Sequence, residues 1–311
     1  MKSAQRLGRR GGYTFEIFNN LFAREEPMSK IAIVTDSTAW LPKDLLAQYN
    51  ITVAPQVLIW GEQTLNDGID IQPKEFYERI KTSKVMPTTS QVSIVDMQNI
   101  FSGLVDKGFD VLGIFLSSKL SGTIQSATQG REMLGKGAEK VHVVDSLSTA
   151  MAMGFQVLAA ARAVADGASV ADAKAVAEKA RNQTGVFFAV DTLEFLHRGG
   201  RIGGAQRFIG AALNMKPVLA LKDGRVEAVE RIRTKSKAIE RVFELVAEQT
   251  KGQSPVRIAS LHANAPEEAR ALLDRATKEL GAVESIFTEV SPVVGNHAGP
   301  GTVGLAYMVG M

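Results

Sequence analysis

Hydroxyl side chains follow an apolar segment in the middle of the chain. Residues 111–116 form the nearly continuous apolar run that is typical of a strand buried on both faces. Ser117, Ser118 and Ser121 come directly after it, and a helix is predicted to begin near Thr123. Ligands of open α/β sheets lie beyond the carboxyl ends of the strands, where the first N–H groups of the next helix attract anions. The segment is therefore a candidate anion site, and the alternative is a turn whose serines only cap the helix.

Two other segments repeat this chemistry. TDST at residues 35–38 follows a predicted apolar strand, and PTTSQ at residues 87–91 adds three more hydroxyl groups. Arg201 and His297, in the second half of the chain, are candidates to join them. Hydroxyl and helix N–H donors bind one carboxylate without placing several positive charges in an apolar pocket. The set therefore suits a ligand with one anionic head and a long apolar body.

Ser121 and His297 also permit an enzymatic interpretation. A serine that is activated by a histidine base would make a hydrolase or an acyl transferase. The G-x-S-x-G turn that presents such a serine in many hydrolases is absent. Sequence alone does not bring the two side chains within hydrogen-bond distance, so a binding protein and an enzyme both remain open at this point.

Metals and nucleotide cofactors find little support in the sequence. The four histidines are far apart and none belongs to a paired metal-ligand motif. The glycines at 130 and 135 have the spacing of a phosphate loop, but Gly137 occupies the position that requires Ser or Thr. The glycine cluster at residues 199–204 does not match G-x-G-x-x-G. We therefore expect no metal and no cofactor.

Composition excludes several other classes of protein. The chain has 311 residues, of which 45% are apolar and 22% charged, with a formal net charge of +3 and no cysteine. Disulfides and thiolate chemistry are thus excluded, and a cytoplasmic location fits. No basic stripe alternates with aromatic residues, so we expect no nucleic-acid binding. No apolar segment has the length and character of a transmembrane span.

The first 27 residues differ from the rest of the chain. They carry five basic and three acidic side chains, and Met28 stands two residues before the first predicted strand. This pattern predicts that residues 1–27 are a disordered extension. The alternative is a basic segment that makes transient contact with a membrane surface.

Alternating strands and helices predict an α/β protein with two domains. Residues 28–183 are expected to form a doubly wound, mostly parallel sheet, and residues 184–311 a mixed sheet with flanking helices. Residues 51–59 are predicted to be one strand, and the Asp-Gly at 223–224 to turn a hairpin. Asn264 is expected to cap a helix, and residues 295–302, which include His297, to form a loop.

Six ordered motifs, which run from residue 35 to residue 301, resemble the DegV family of bacterial fatty-acid-binding proteins. They are TDST at 35–38, DGID at 67–70, PTTSQ at 87–91, SSKLSGT at 117–123, VDTLEFLHRGGRIG at 190–203 and GNHAGPG at 295–301. The resemblance implies two α/β domains with a long-chain fatty acid, such as palmitate, buried at their junction.

The resemblance also implies roles for particular residues. Thr89 and Ser121 would bind the fatty-acid carboxylate, with His297 and Arg201 beside them, while Ser117 and Ser118 shape the turn. Proteins of this kind are not enzymes by themselves. They present the fatty acid to a separate fatty acid kinase, which makes an acyl phosphate for phospholipid synthesis. Ala298 and Ile124 depart from residues common in the family, but neither replaces an implied carboxylate ligand.

Overall fold

The computed structural model describes residues 30–210 and 215–311, so the predicted N-terminal extension, residues 1–27, lies outside the described residues. The elements of the first half are β1 Lys30–Asp36, α1 Lys43–Gln48, β2 Thr52–Ala54, β3 Val57–Trp60, β4 Gln63–Asn66, α2 Pro73–Ile80, β5 Thr88–Ser90, α3 Ile94–Val105, β6 Phe109–Phe115, α4 Thr123–Glu132, β7 Val141–Asp145, α5 Ala150–Ala165 and α6 Val170–Arg181.

The second half begins with another strand. Its elements are β8 Thr184–Ala189, α7 Glu194–Arg198, β9 Lys216–Lys222, β10 Arg225–Ile232, α8 Lys235–Thr250, β11 Val256–His262, α9 Pro266–Glu279, β12 Glu284–Glu289, α10 Pro292–Ala298 and β13 Val303–Val309. Across the two described ranges, no helix combines the length and the apolar character needed to cross a membrane.

The first sheet has the order β2-β1-β6-β7, and all of its strand pairs are parallel. Helices α3 and α4 cover one face, where Met97, Phe101 and Ala127 pack on Val111 and Phe115. Helices α5 and α6 cover the other face. The predicted doubly wound parallel sheet is therefore confirmed.

The second sheet has the order β10-β9-β8-β13-β11-β12, in which only β11 and β12 pair in parallel. Helices α8 and α9 cover one face of this sheet, and α5 lies against the other. The predicted mixed sheet is confirmed, as is the hairpin at its edge, where Asp223 and Gly224 both have positive φ.

Helix α5 lies between the two sheets, which explains its composition. Every residue from 150 to 161 is buried, and alanine is the most frequent among them. Small side chains allow both sheets to approach the helix closely, so the helix joins the two halves of the molecule in one apolar cluster.

Several local predictions were wrong. Residues 51–59 are not one strand, because the chain leaves the first sheet at Pro55 and Gln56 and β3 pairs instead with β4 and β5 in a small antiparallel sheet. The PTTSQ segment therefore contributes a strand, in which Thr89 pairs with Leu58.

The C-terminal segment also differs from expectation. Residues 292–298 form helix α10, because Ser291 caps it by accepting the N–H of Val294 and Pro292 occupies its first turn. Residue Asn264 does not cap α9, which begins after Ala265 with Pro266 at its first position. The apolar segment that follows Thr302 is the central strand β13.

Candidate ligand site between the two sheets

A cavity that is partly open to solvent lies between the two halves of the molecule. Its walls are mostly apolar, with Leu116 and Leu120 from the first half and Val186 and Phe188 from the second. The four residues singled out in the sequence, Thr89, Ser121, Arg201 and His297, all line it. The fold thus brings side chains from four separate segments to one cavity.

Thr89 and His297 contact each other directly. Strand β5 holds Thr89, helix α10 holds His297, and Thr89 Oγ1 lies 2.8 Å from His297 Nε2. If Nε2 carries the proton, it donates to Thr89 Oγ1 and leaves the Thr89 O–H free to donate to an anion. In that tautomer the pair offers a hydroxyl donor that the buried ring orients.

The imidazole of His297 is neutral at physiological pH. Burial lowers its pKa to about 4, and the positive charge of Arg201 acts in the same direction. Nδ1 is buried and has no hydrogen-bond partner among the described residues. Gly199 packs against this nitrogen so closely that a Cβ at that position would lie 2.1 Å from it.

Ser121 lies in the loop between β6 and α4. Its Oγ is 2.9 Å from Thr123 Oγ1, which in turn accepts a hydrogen bond of 2.9 Å from Gln56 Nε2. Gln91, which follows β5, packs against Gly122 at the same point. The loop is therefore held from two sides, so the position of the Ser121 hydroxyl is fixed before any ligand enters.

Arg201 supplies positive charge to the cavity. Its Nε donates to the carbonyl of Leu120 at 3.0 Å and its Nη1 to the carbonyl of Gly199 at 2.7 Å. It forms no ion pair with any carboxylate in the described ranges. A guanidinium that is anchored by backbone carbonyls and lacks an acidic partner is available to an anionic ligand.

The two other serines of the loop lie outside the cavity lining. Ser117 is fully buried, and its Oγ donates to the carbonyl of Gly224 at 2.8 Å, which fixes the tip of the β9–β10 hairpin on the first half of the molecule. The side chain of Ser118 is exposed.

Sequence reasoning missed some polar residues of this cavity. Gln56 and Gln91 line it, although no strand or helix pattern marks glutamines as ligands. Thr149 also lines it, with an Oγ1 that is buried and has no partner within the described ranges. Its position between β7 and α5, at the carboxyl end of a strand, was the available signal.

Ser121 and His297, the pair that the enzymatic interpretation requires, do not hydrogen-bond to each other. His297 bonds to Thr89, whereas Ser121 bonds to Thr123. Within residues 30–210 and 215–311, no group of three or more metal-ligating side chains comes together. What the site offers chemically is a cluster of hydroxyl groups, a neutral imidazole and one guanidinium beside apolar walls.

Comparison with known proteins identifies relatives of nearly full length. The family model described as DegV, an uncharacterised protein family, matches residues 30–309. Protein DegV of Bacillus subtilis is 36% identical over 279 residues, which cover 89% of this chain and 98% of that protein. A DegV domain-containing protein of Streptomyces coelicolor is 38% identical over 277 residues, or 88% of this chain and 97% of the relative.

Solved structures agree with these relatives. A DegV family protein from Thermus thermophilus, described as binding fatty acid, superposes with a TM-score of 0.85 at 35% identity, covering 90% of this chain and 99% of that one. DegV of Bacillus subtilis, described as a fatty acid binding protein, superposes with a TM-score of 0.83 at 35% identity, covering 91% and 100%. The chain belongs to the DegV family.

Proposed function

We propose that this protein binds a long-chain fatty acid, such as palmitate, in the cavity between its two sheets. Thr89, Ser121 and His297 hold the carboxylate through hydrogen bonds, and Arg201 supplies the opposite charge. The observation that carries the proposal is the meeting of uncharged donors and one guanidinium, which has no acidic partner in the described ranges, beside apolar walls. The fatty acids bound by the relatives from Thermus thermophilus and Bacillus subtilis support it.

The energetics of the cavity favour an acyl chain. Burial of each CH₂ group contributes roughly 0.8 kcal/mol, so a 16-carbon chain supplies about 10 kcal/mol before the cost of ordering it. Affinity then comes from the chain, and the polar residues orient the head.

The wider role that we propose is to present this carboxylate to a separate fatty acid kinase in the cytoplasm, as an early step of phospholipid synthesis. The carrier itself needs no cofactor, because its site holds the carboxylate with hydrogen bonds and charge alone. The basic segment at residues 1–27 is our candidate for a transient contact with a membrane surface during loading.

Binding is tested first with the purified protein. Native mass spectrometry is expected to find a long-chain fatty acid bound, or to detect binding when palmitate is added.

Thr89→Val and Ser121→Ala are each expected to weaken palmitate binding about tenfold, since each removes one hydrogen bond to a charged group. Thr88→Val and Ser118→Ala are matched controls, because these exposed neighbours lie outside the cavity lining. Unchanged binding in the Thr89→Val, Ser121→Ala double variant would contradict the assigned site.

A second assay separates a carrier from an enzyme. With a fatty acid kinase and ATP, acyl phosphate is expected to form only when this protein is present. The isolated protein is expected not to hydrolyse acyl esters. Steady ester turnover that Ser121→Ala abolishes would instead establish a serine-dependent hydrolase or acyl transferase.

A further inference from the structure

Two of the motifs named above, TDST at residues 35–38 and DGID at residues 67–70, supply none of the four proposed carboxylate ligands, although Thr38 lines the cavity. They meet beside helix α10. Asp67 is only 2% exposed, and one of its carboxylate oxygens accepts a hydrogen bond of 2.6 Å from Ser37 Oγ. Its other oxygen accepts the backbone N–H of Val293 at 3.3 Å, and the nearby Ser291 hydroxyl lowers the pKa of this carboxyl.

These contacts attach α10 to the first half of the molecule. The helix has seven residues, and Asp67 accepts a hydrogen bond from its first turn, two residues after the capping residue Ser291. His297 lies one turn further along the same helix. Because α10 is so short, a shift at its first turn moves the imidazole as well.

The packing around α10 leaves little freedom for such a shift. A Cβ at Gly295 would lie 2.2 Å from the hydroxyl oxygen of Tyr77, and one at Gly199 would lie 2.1 Å from His297 Nδ1. The helix therefore packs closely on Tyr77 and on Gly199, with His297 Nε2 in contact with Thr89 Oγ1.

The same cluster also reaches the other side of the proposed site. Ser37 Oγ accepts the N–H of Gln56 at 3.1 Å, and the Gln56 side chain donates to Thr123, the partner of Ser121. One continuous set of hydrogen bonds thus joins Asp67 to both Ser121 and the helix of His297.

An ionised carboxylate in this position is costly. Asp67 forms no ion pair with a described cation, and burial is the main reason that its pKa rises to about 6, despite hydrogen bonds from Ser37, Ser291 and Val293. A neutral side chain would avoid this cost, so we look for the role of the carboxylate in positioning its neighbours and not in stability.

We infer that Asp67 is a positioning residue: its carboxylate fixes the start of α10 and thereby holds His297 Nε2 against Thr89 Oγ1. The effect on ligand affinity rests on the proposed function, whereas the effect on His297 does not.

The test uses the full-length protein at pH 7.5 with Asp67→Asn. Side-chain NMR of [¹⁵N]histidine-labelled protein reports His297, whose signals are identified by their loss in His297→Gln. Asp67→Asn is expected to shift or broaden the His297 signals and to leave those of His142 unchanged. It is also expected to weaken palmitate binding about tenfold, which displacement of a fluorescent fatty acid measures. The matched control is Thr35→Val, since the buried Thr35 Oγ1 beside Asp36 has no partner among the described residues.

The outcomes separate the two proposals. His297 signals that stay in place in a folded Asp67→Asn variant overturn the inference, whatever the affinity. Shifted His297 signals with unchanged palmitate affinity support the positioning role and contradict the proposed carboxylate site. If Asp67→Asn does not fold, Ser37→Ala removes the 2.6 Å hydrogen bond to Asp67 without touching α10 and is measured in the same way, with unmoved His297 signals again overturning the inference.

Discussion

His297 is a buried histidine beside a cation, and both features oppose its protonation. Burial and the charge of Arg201 lower its pKa to about 4, against 6.5 for an unperturbed histidine. At pH 7 the ring is therefore a neutral hydrogen-bonding group, which orients Thr89 without adding a second positive charge to the cavity.

This property gives a prediction for one residue. A ¹⁵N NMR titration is expected to show no protonation of His297 between pH 5.5 and 8. In Arg201→Gln the midpoint of the titration is expected to rise, because the charge that opposes the imidazolium is gone. N-acetylhistidine amide in the same buffer serves as the reference for an unperturbed ring. A midpoint near 6.5 in the wild-type protein would contradict the burial and charge that we describe.

Some residues of the candidate site could be predicted from the sequence, and the contacts of others could not. Thr89, Ser121, Arg201 and His297 were recognisable because their motifs resemble a known family, and they all line one cavity. The contact of Asp67 with Val293 could not be foreseen, because it joins residues 226 positions apart through the packing of two halves. Local patterns contain no information on which distant backbone N–H a buried carboxylate accepts.

Helices α7 and α10 meet at a glycine, and this contact belongs to the scale of whole elements. Gly199 follows α7 and has a φ of −73°, which any residue adopts. The approach of His297 is what chiefly requires a glycine there, since a Cβ would lie 2.1 Å from Nδ1, against 3.1 Å from the carbonyl oxygen of Phe195. The lack of a Cβ at Gly199 thus allows helices α7 and α10 to approach each other this closely.

Gly199→Ala is therefore expected to push α10 away from α7 and to weaken palmitate binding about tenfold or more, since overpacking costs about 1–3 kcal/mol. Gly103→Ala is the matched control: it lies in α3, a Cβ added there would have nothing within 4 Å, and the change is expected to stabilise the helix by about 1 kcal/mol without affecting binding. Palmitate titration and thermal unfolding measure both variants. Wild-type affinity in Gly199→Ala would show that the position of α10 is not critical.

Strands and helices were predicted correctly where the pattern of apolar residues extended over a long segment, and wrongly where the pattern was short. The parallel sheet and the β9–β10 hairpin follow from strong local patterns. Residues 51–59 are divided because β2 joins the first sheet and β3 joins the small antiparallel sheet. The local sequence pattern does not indicate which sheet a strand will join. Helix α10 had a usable signal in Ser291 and Pro292, a cap followed by proline at the first position, but its glycines and histidine favoured a loop.

At the scale of the whole molecule, α5 packs against both sheets and joins the two halves in one apolar cluster. The largest apolar cluster contains residues of both halves, with α5 between the sheets. The boundary between residues 183 and 184 therefore stays a prediction. The cavity depends on the same arrangement, because its walls come from both halves and meet at the N-terminal end of α5, where Thr149 and Ala150 line it.

Buried titratable groups make the stability of the whole molecule depend on pH in two opposite directions. Asp67 has its pKa raised from 3.8 to about 6, so the folded state binds this proton more tightly than the unfolded state. Its contribution is fully present below pH 3.8 and is lost as the pH rises through 6. The buried His262 has its pKa lowered from 6.5 to about 4, so its contribution is present above pH 6.5 and lost as the pH falls towards 4.

Urea unfolding at pH 7.5 and pH 4.5 tests these signs in the wild-type protein, Asp67→Asn and His262→Gln. Differences from wild type cancel the contributions of all other groups. Relative to wild type, Asp67→Asn is expected to be more stable at pH 7.5 than at pH 4.5 by about 2 kcal/mol, since a shift of roughly two pKa units is worth about 3 kcal/mol and part of it is already lost at pH 4.5. His262→Gln is expected to change in the opposite direction, gaining relative stability as the pH falls. Equal or same-sign changes in the two variants would contradict the assignment, because a carboxyl and an imidazole that are both penalised by burial respond to protons with opposite sign.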